Sequence, residues 1–135
     1  MASDGWSLGL QYELCEPVLL GQGSYGPVVR ARDLLSSQQV AVKVYDAAES
    51  FRSAKLAECT TLARAEAETV ASFEREVRAL QRVHRVHGAG EPAPVAALLS
   101  FSCDSHGAPA RAADGCCYIV LKKPSLRIRT NERTN

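Results

Sequence analysis

The sequence predicts an α+β fold, a five-stranded antiparallel sheet in the order β-β-β-α-β-β with one principal long helix. Three observations carry this expectation. Val40-Ala41-Val42-Lys43-Val44-Tyr45 is β-branched at every second position, which suits a pleated strand. From Ala47 to His87 there is no Gly and no Pro, and Ala, Glu, Arg and Leu dominate, which is helix composition. Two further apolar runs, 95–103 and 116–122, are separated by a loop rich in Gly, Ala, Ser and Asp. With 135 residues and 46% apolar content, the chain has material for one modest core, either one domain or one lobe of a larger one.

Taken in order, residues 1–11 read as a short leader, and residues 12–123 as the folded unit. The first strand is expected over Leu14–Leu20 and runs into Gly21-Gln22-Gly23-Ser24-Tyr25-Gly26. After Pro27, Val28–Arg32 forms the second strand, with Val28, Arg30 and Arg32 on one face. Ser36–Gln39 is a polar turn leading to the third strand at Val40–Tyr45. The helical stretch is longer than an average helix, so two segments, or one long helix with a frayed start, are expected. Within it Phe73, Val77 and Leu80 define a buried stripe, and Glu74 and Arg78 are spaced to pair on the outer side. Gly88-Ala89-Gly90-Glu91-Pro92-Ala93-Pro94 ends the helix. Val95–Cys103 and Cys116–Lys122 supply the last two strands, and residues 124–135 form a basic polar tail.

Charge and cysteine usage narrow the function classes. A formal net charge of +1 gives no global case for nucleic acid or an anionic membrane, and a short basic tail reads as solvated. No apolar run is long enough to span a bilayer, and Met1–Gly9 lacks the basic and apolar regions of a signal peptide. A cytoplasmic location is the default expectation. Five cysteines with no C-x-x-C pair argue for reduced thiols rather than a disulfide framework or a zinc site. His84 and His87 could share a helix side, but no ligand-spaced partners accompany them, so no metal site is expected.

The glycine run is the candidate for chemistry. Glycines let a backbone approach phosphate oxygens closely, and G-x-G-x-x-G serves more than one fold. In a dinucleotide-binding Rossmann unit the glycines would open a helix, and an acidic residue would follow about 20 positions on. Asp46 lies at that distance, and Pro27 suits a first helical turn. Against this, Val28–Arg32 makes a better strand than helix, and Tyr25 at the loop tip suits a hairpin flap. Lys43 inside a hydrophobic strand weighs most. A charge there requires a partner or an anionic ligand, and a parallel strand buried on both faces has no place for it. The two readings separate on residues 27–39, helical in one and hairpin-like in the other.

Leu20-Gly21-Gln22-Gly23-Ser24-Tyr25-Gly26-Pro27-Val28 followed by Val40-Ala41-Val42-Lys43 resembles the glycine loop and third-strand lysine of protein kinases, the Ser/Thr type more than others. Phe73-Glu74-Arg75-Glu76-Val77-Arg78-Ala79-Leu80 is similar to the helix carrying the ion-pair glutamate, and Cys117-Tyr118-Ile119-Val120-Leu121 to the strand before the hinge. The resemblance covers roughly Tyr12 to Leu121 and implies the N-terminal, ATP-binding lobe of that family. It implies that the backbone of Gly21, Gln22, Gly23, Ser24, Tyr25 and Gly26 folds over the ATP phosphates. Leu20, Val28, Ala41 and Leu121 would enclose the adenine. Lys43 would hold the α- and β-phosphates in an ion pair with Glu76, and Glu74 is the weaker alternative.

The sequence also departs from the family. Pro27 removes a backbone donor just after the loop. The segments between Asp46 and Phe73, at 88–94 and at 104–115 are longer than usual. After Leu121 the family character stops: Lys122-Lys123-Pro124-Ser125-Leu126-Arg127 replaces the hinge, and no H-R-D-type loop or D-F-G follows. The resemblance therefore implies that the magnesium ligands and catalytic aspartate lie outside this chain, which alone would not transfer phosphoryl groups. A truncated kinase product is the expectation, with ATP and the missing C-terminal lobe or another protein as partners. A non-catalytic interaction module is the alternative from a different class.

Overall fold

A computed structural model describes residues 6–57, 61–87 and 97–122. Five strands form one antiparallel sheet: β1 (Tyr12–Gln22), β2 (Pro27–Asp33), β3 (Gln39–Tyr45), β4 (Ala97–Phe101) and β5 (Cys117–Lys122). Their spatial order is β1-β2-β3-β5-β4, so the first three make a meander and β5 inserts between β3 and the edge strand β4. Two helices, α1 (Ala47–Ala57) and α2 (Leu62–His87), connect β3 to β4. The expected order is thus observed, and the long helical stretch takes its two-segment form.

Capping residues explain where the helices begin. Asp46 Oδ1 accepts from the Ala48 amide at 3.0 Å at the start of α1. Thr61 Oγ1 accepts from the Arg64 amide at 3.1 Å at the start of α2. Each satisfies one of the backbone donors that a helix N-terminus leaves unpaired. Residues 27–33 are strand, paired antiparallel with 39–45 from Val28↔Lys43 to Arg32↔Gln39. The helix that a Rossmann unit needs there is absent, and Asp46 serves as a helix cap. The connecting turn starts earlier than the polar run Ser36–Gln39. Asp33 organises it, accepting the Leu35 amide on its side chain at 2.9 Å and the Ser37 amide on its carbonyl at 2.7 Å.

The sheet buries a core on each face. On the back, Tyr12, Ala31, Val40, Val42, Tyr118 and Val120 pack with Ala112 from the β4–β5 loop. Here the leader expected over 1–11 is not detached in its described part: Trp6 and Leu8 pack against this core, and Trp6 stacks on Tyr118 at 5.6 Å. The β4–β5 loop is equally built in. Cys103 bridges Pro109, the Ala113 amide donates to the Trp6 carbonyl at 3.0 Å, and Tyr118 donates its hydroxyl to Asp114. On the front, Phe73 and Val77 of α2 are fully buried against Tyr45, Cys117 and Ile119, with Leu80 alongside. That is the expected helical stripe. The outer pair expected between Glu74 and Arg78 is not among the ion pairs of the described residues.

Strand limits shift by a few residues from expectation. β1 extends to Gln22 and carries Pro17, which the sheet tolerates because β1 is an edge. β4 ends at Phe101, because Ser102 turns inward: its hydroxyl accepts the Tyr118 amide at 3.0 Å. Cys15, Cys103, Cys116 and Cys117 are free thiols. No helix among the described residues is long and apolar enough to cross a membrane. The 88–94 breaker and the 124–135 tail lie outside the described residues.

Candidate functional site

Strand register assembles the expected residues on the front face. Val28 pairs with Lys43, which pairs with Ile119. One row along, Arg30 pairs with Ala41, which pairs with Leu121. Side chains two apart on a strand share a face, so Val28, Ala41, Lys43 and Leu121 form one continuous patch. All four are half-buried, whereas Val40, Val42 and Val120 on the back are sealed from solvent. Leu20 sits in the bulge between the Leu19↔Val29 and Gly21↔Val28 pairs and is 38% exposed. A bulge re-aims a side chain at the rim of a sheet, and Leu20 is placed at this rim.

Lys43 has the charged partner that its place in a strand demands. Its Nζ lies 3.6 Å from Glu76 Oε2 on α2. The helix presents Glu76 one turn after Phe73 and one residue before Val77, the two side chains that anchor α2 to the sheet. Both partners are partly wet, with 33% and 40% of their side chains exposed. An ion pair of that exposure contributes about 1 kcal/mol or less, so fold stability alone does not account for a lysine here. Glu74 has no such contact.

The glycine loop is a tight flap. Gln22 pairs with Pro27, and the Gly23 amide donates to the Gly26 carbonyl at 2.7 Å. Pro27 starts β2, a strand position that does not require its missing donor. The flap leans toward the end of β3, where the Asp46 amide donates to the Tyr25 carbonyl at 2.9 Å. Gly26 runs so close to β3 that a Cβ would lie 2.5 Å from the Val44 carbonyl oxygen. In this arrangement the Gly23 amide is already engaged, so donation to a phosphate requires the turn to open.

Sequence reasoning left two side chains of this face unassigned. The Tyr45 ring lies under the flap, stacked on Tyr25 at 5.7 Å and meeting Phe73 edge-on at 5.6 Å. Lys43 Nζ sits 5.7 Å from its centroid, within cation–π range. Burial, then the Glu76 carboxylate and the Tyr25 phenol, hold the Tyr45 phenol well above its ordinary value, so it stays neutral beside Lys43. Arg30 is the second. It donates to Gln39 Oε1 at 2.9 Å, while its Nε is buried without a partner. Strand alternation placed Arg30 on this face, but nothing in the sequence signals its buried nitrogen.

No family model matches the chain, and no curated protein matches it. The site is therefore read from its own chemistry. It offers an apolar strip, a cation at one end backed by a carboxylate, and a glycine flap whose Tyr25 shares the Tyr45 ring with the cation. Those features fit a flat apolar ring joined to an anionic tail.

Proposed function

We propose that the chain is a nucleotide-binding lobe of the protein-kinase type, more specifically the Ser/Thr type, and that it holds ATP. The observation that carries this reading is the Lys43–Glu76 pair, joining a strand interior to a helix beside a glycine flap. Val28, Ala41 and Leu121 would take the adenine on the half-buried patch, with Leu20 at its rim. Lys43 would take the phosphates, with Glu76 keeping the ammonium aimed. Gly21, Gln22, Gly23, Ser24, Tyr25 and Gly26 would cover them, once the flap turn frees its amides. The proposal is nucleotide binding by this chain. The magnesium ligands that phosphoryl transfer needs are not assigned to any of its residues.

Titration of the folded chain with ATP and with ADP, followed by calorimetry and by shifts of the Gly23 and Lys43 resonances, tests the proposal. Lys43→Met removes a charge-assisted contact and should weaken binding by about ten- to a hundredfold. Glu76→Gln should weaken it less, since the cation remains. Absence of binding at millimolar nucleotide in a folded sample refutes the reading.

A further inference from the structure

We propose that Tyr25 and Tyr45 are positioning residues that make the Lys43–Glu76 pair sensitive to the position of the flap. The inference rests on reading that pair as the phosphate-facing element of the site. Tyr45 is the hub: its ring carries the flap's Tyr25 on one side, receives the Lys43 ammonium at 5.7 Å, and meets Phe73 of α2 edge-on. Phe73 is fully buried and stands one helical turn before Glu76. Both members of the ion pair are thus tied to one ring, Lys43 through its charge and Glu76 through its helix.

The flap end of this chain of contacts is also fixed. The Tyr25 carbonyl accepts the Asp46 amide at 2.9 Å, and Gly26 lies against the Val44 carbonyl. With the Tyr25 backbone held there, a flap that rises from β3 carries the Tyr25 ring away from Tyr45. The ion pair itself is long, at 3.6 Å with both groups partly wet, so burial does not fix its geometry and the neighbours that hold Lys43 and α2 do. Phosphates that lift the flap to reach the Gly23 amide therefore also alter how Lys43 is held. The site reads its own occupancy through a cluster of three rings, one pair stacked and one edge-on.

Nuclear magnetic resonance on the full chain without nucleotide tests this directly. The readouts are the Glu76 carboxyl and Lys43 ε-carbon shifts and the exchange rate of the Asp46 amide. Glu66, on the same helix and paired with Arg111 of the β4–β5 loop, is the internal control. Tyr25→Ala should speed Asp46 amide exchange by about two- to tenfold, the loss of one ring pair. It should also move the Glu76 and Lys43 shifts while leaving Glu66 in place. Tyr25→Phe keeps the ring and should restore all three. If Tyr25→Ala fails to fold, Tyr25→Leu replaces it, keeping apolar bulk without the ring.

Faster Asp46 exchange with unmoved Glu76 and Lys43 shifts would overturn the coupling. So would unmoved signals throughout, or Glu66 shifts as large as those of Glu76, since that means general loosening. No ligand enters these measurements, so their failure leaves nucleotide binding standing. Failure of the nucleotide titration leaves the coupling to be decided here.

Discussion

Replacing Gly26 by alanine should unlatch the flap, and the structure sets the size of the effect. The added Cβ would lie 2.5 Å from the Val44 carbonyl oxygen and 3.3 Å from its carbonyl carbon. A carbon–oxygen contact is comfortable at roughly 3.3–3.6 Å, so the oxygen is too close by nearly an ångström. Val44 has little room to retreat, because it pairs with Tyr118 of β5 and follows Lys43, which is paired on both sides. The flap must rise instead. It would lose the Asp46–Tyr25 backbone hydrogen bond and the Tyr25–Tyr45 ring contact, each about 0.5–1.5 kcal/mol. The sum is roughly 1–3 kcal/mol, in the range of overpacked positions. Gly21 supplies the contrast, with nothing within 4 Å of its added Cβ, and Gly23 falls between, 3.1 Å from the Gly26 carbonyl. Urea denaturation of the three alanine variants should rank the losses as Gly26, then Gly23, with Gly21 near wild type. A Gly21 variant as unstable as the Gly26 variant would refute the reasoning, as would a neutral Gly26→Ala.

Three further outcomes follow from local chemistry. Thr61→Ala removes the α2 cap and should lower stability by about 1 kcal/mol in denaturant titration, while Thr61→Ser should retain most of it. Burial pushes the Cys117 thiol up to about 11. The unfolded thiol ionises near 8.5, so above that pH the unfolded chain binds fewer protons and stability should decline with rising pH until about 11. Folded Cys117 should correspondingly resist alkylation at pH 8–9 until denaturant is added, as mass spectrometry would show. At the acid end, backbone hydrogen bonds from Ala108 and then His106 hold the Asp104 carboxyl below its ordinary value. Its stabilising effect is complete above the unfolded carboxylate range and is lost as pH falls through the folded value. Asp104→Asn should therefore flatten the acid limb of the stability profile.

How much of this was legible depended on whether the signal was local. The alternation of Val40, Val42 and Val44 fixed which residues face α2, and Lys43 stood out because a charge interrupts that pattern. The Phe73–Val77–Leu80 stripe marks the inner face of α2, whereas Glu76 is singled out only by the resemblance. Helix starts were legible in principle, since Asp46 and Thr61 are good capping residues, but Asp46 also fits the acidic position of a Rossmann unit. What was not legible depends on contacts between distant segments. Trp6 looks like a stray aromatic in a leader until Tyr118 and the Ala113 amide close on it, more than a hundred positions later. The β4–β5 loop reads as polar filler, although Ala112 and Cys116 cover the back of the sheet. Tyr45 looks like an ordinary strand terminus, because its role comes from three neighbours drawn from a flap, a strand and a helix.

The way the two faces are closed locates the site independently of any motif. The back of the sheet is sealed by residues from both ends of the described chain, and its central valines reach zero exposure. Among the described residues the front is closed where α2 lies on Tyr45, Cys117 and Ile119, with Leu98, Phe101 and Leu121 at the margin. Toward Val28 and Ala41 the same strands are only half-covered, with Leu121 at the margin of the α2 cluster and Lys43 at the boundary. A residue chosen for packing at that boundary would be apolar, since the partly exposed ion pair contributes about 1 kcal/mol at most and the charge there is partly desolvated. A lysine there forgoes stability, and Glu76 and the Tyr45 ring are placed to hold its charge. On the nucleotide reading proposed above, an anion would meet that lysine at the end of the apolar strip, beside a flap whose Tyr25 rests on the ring next to the cation.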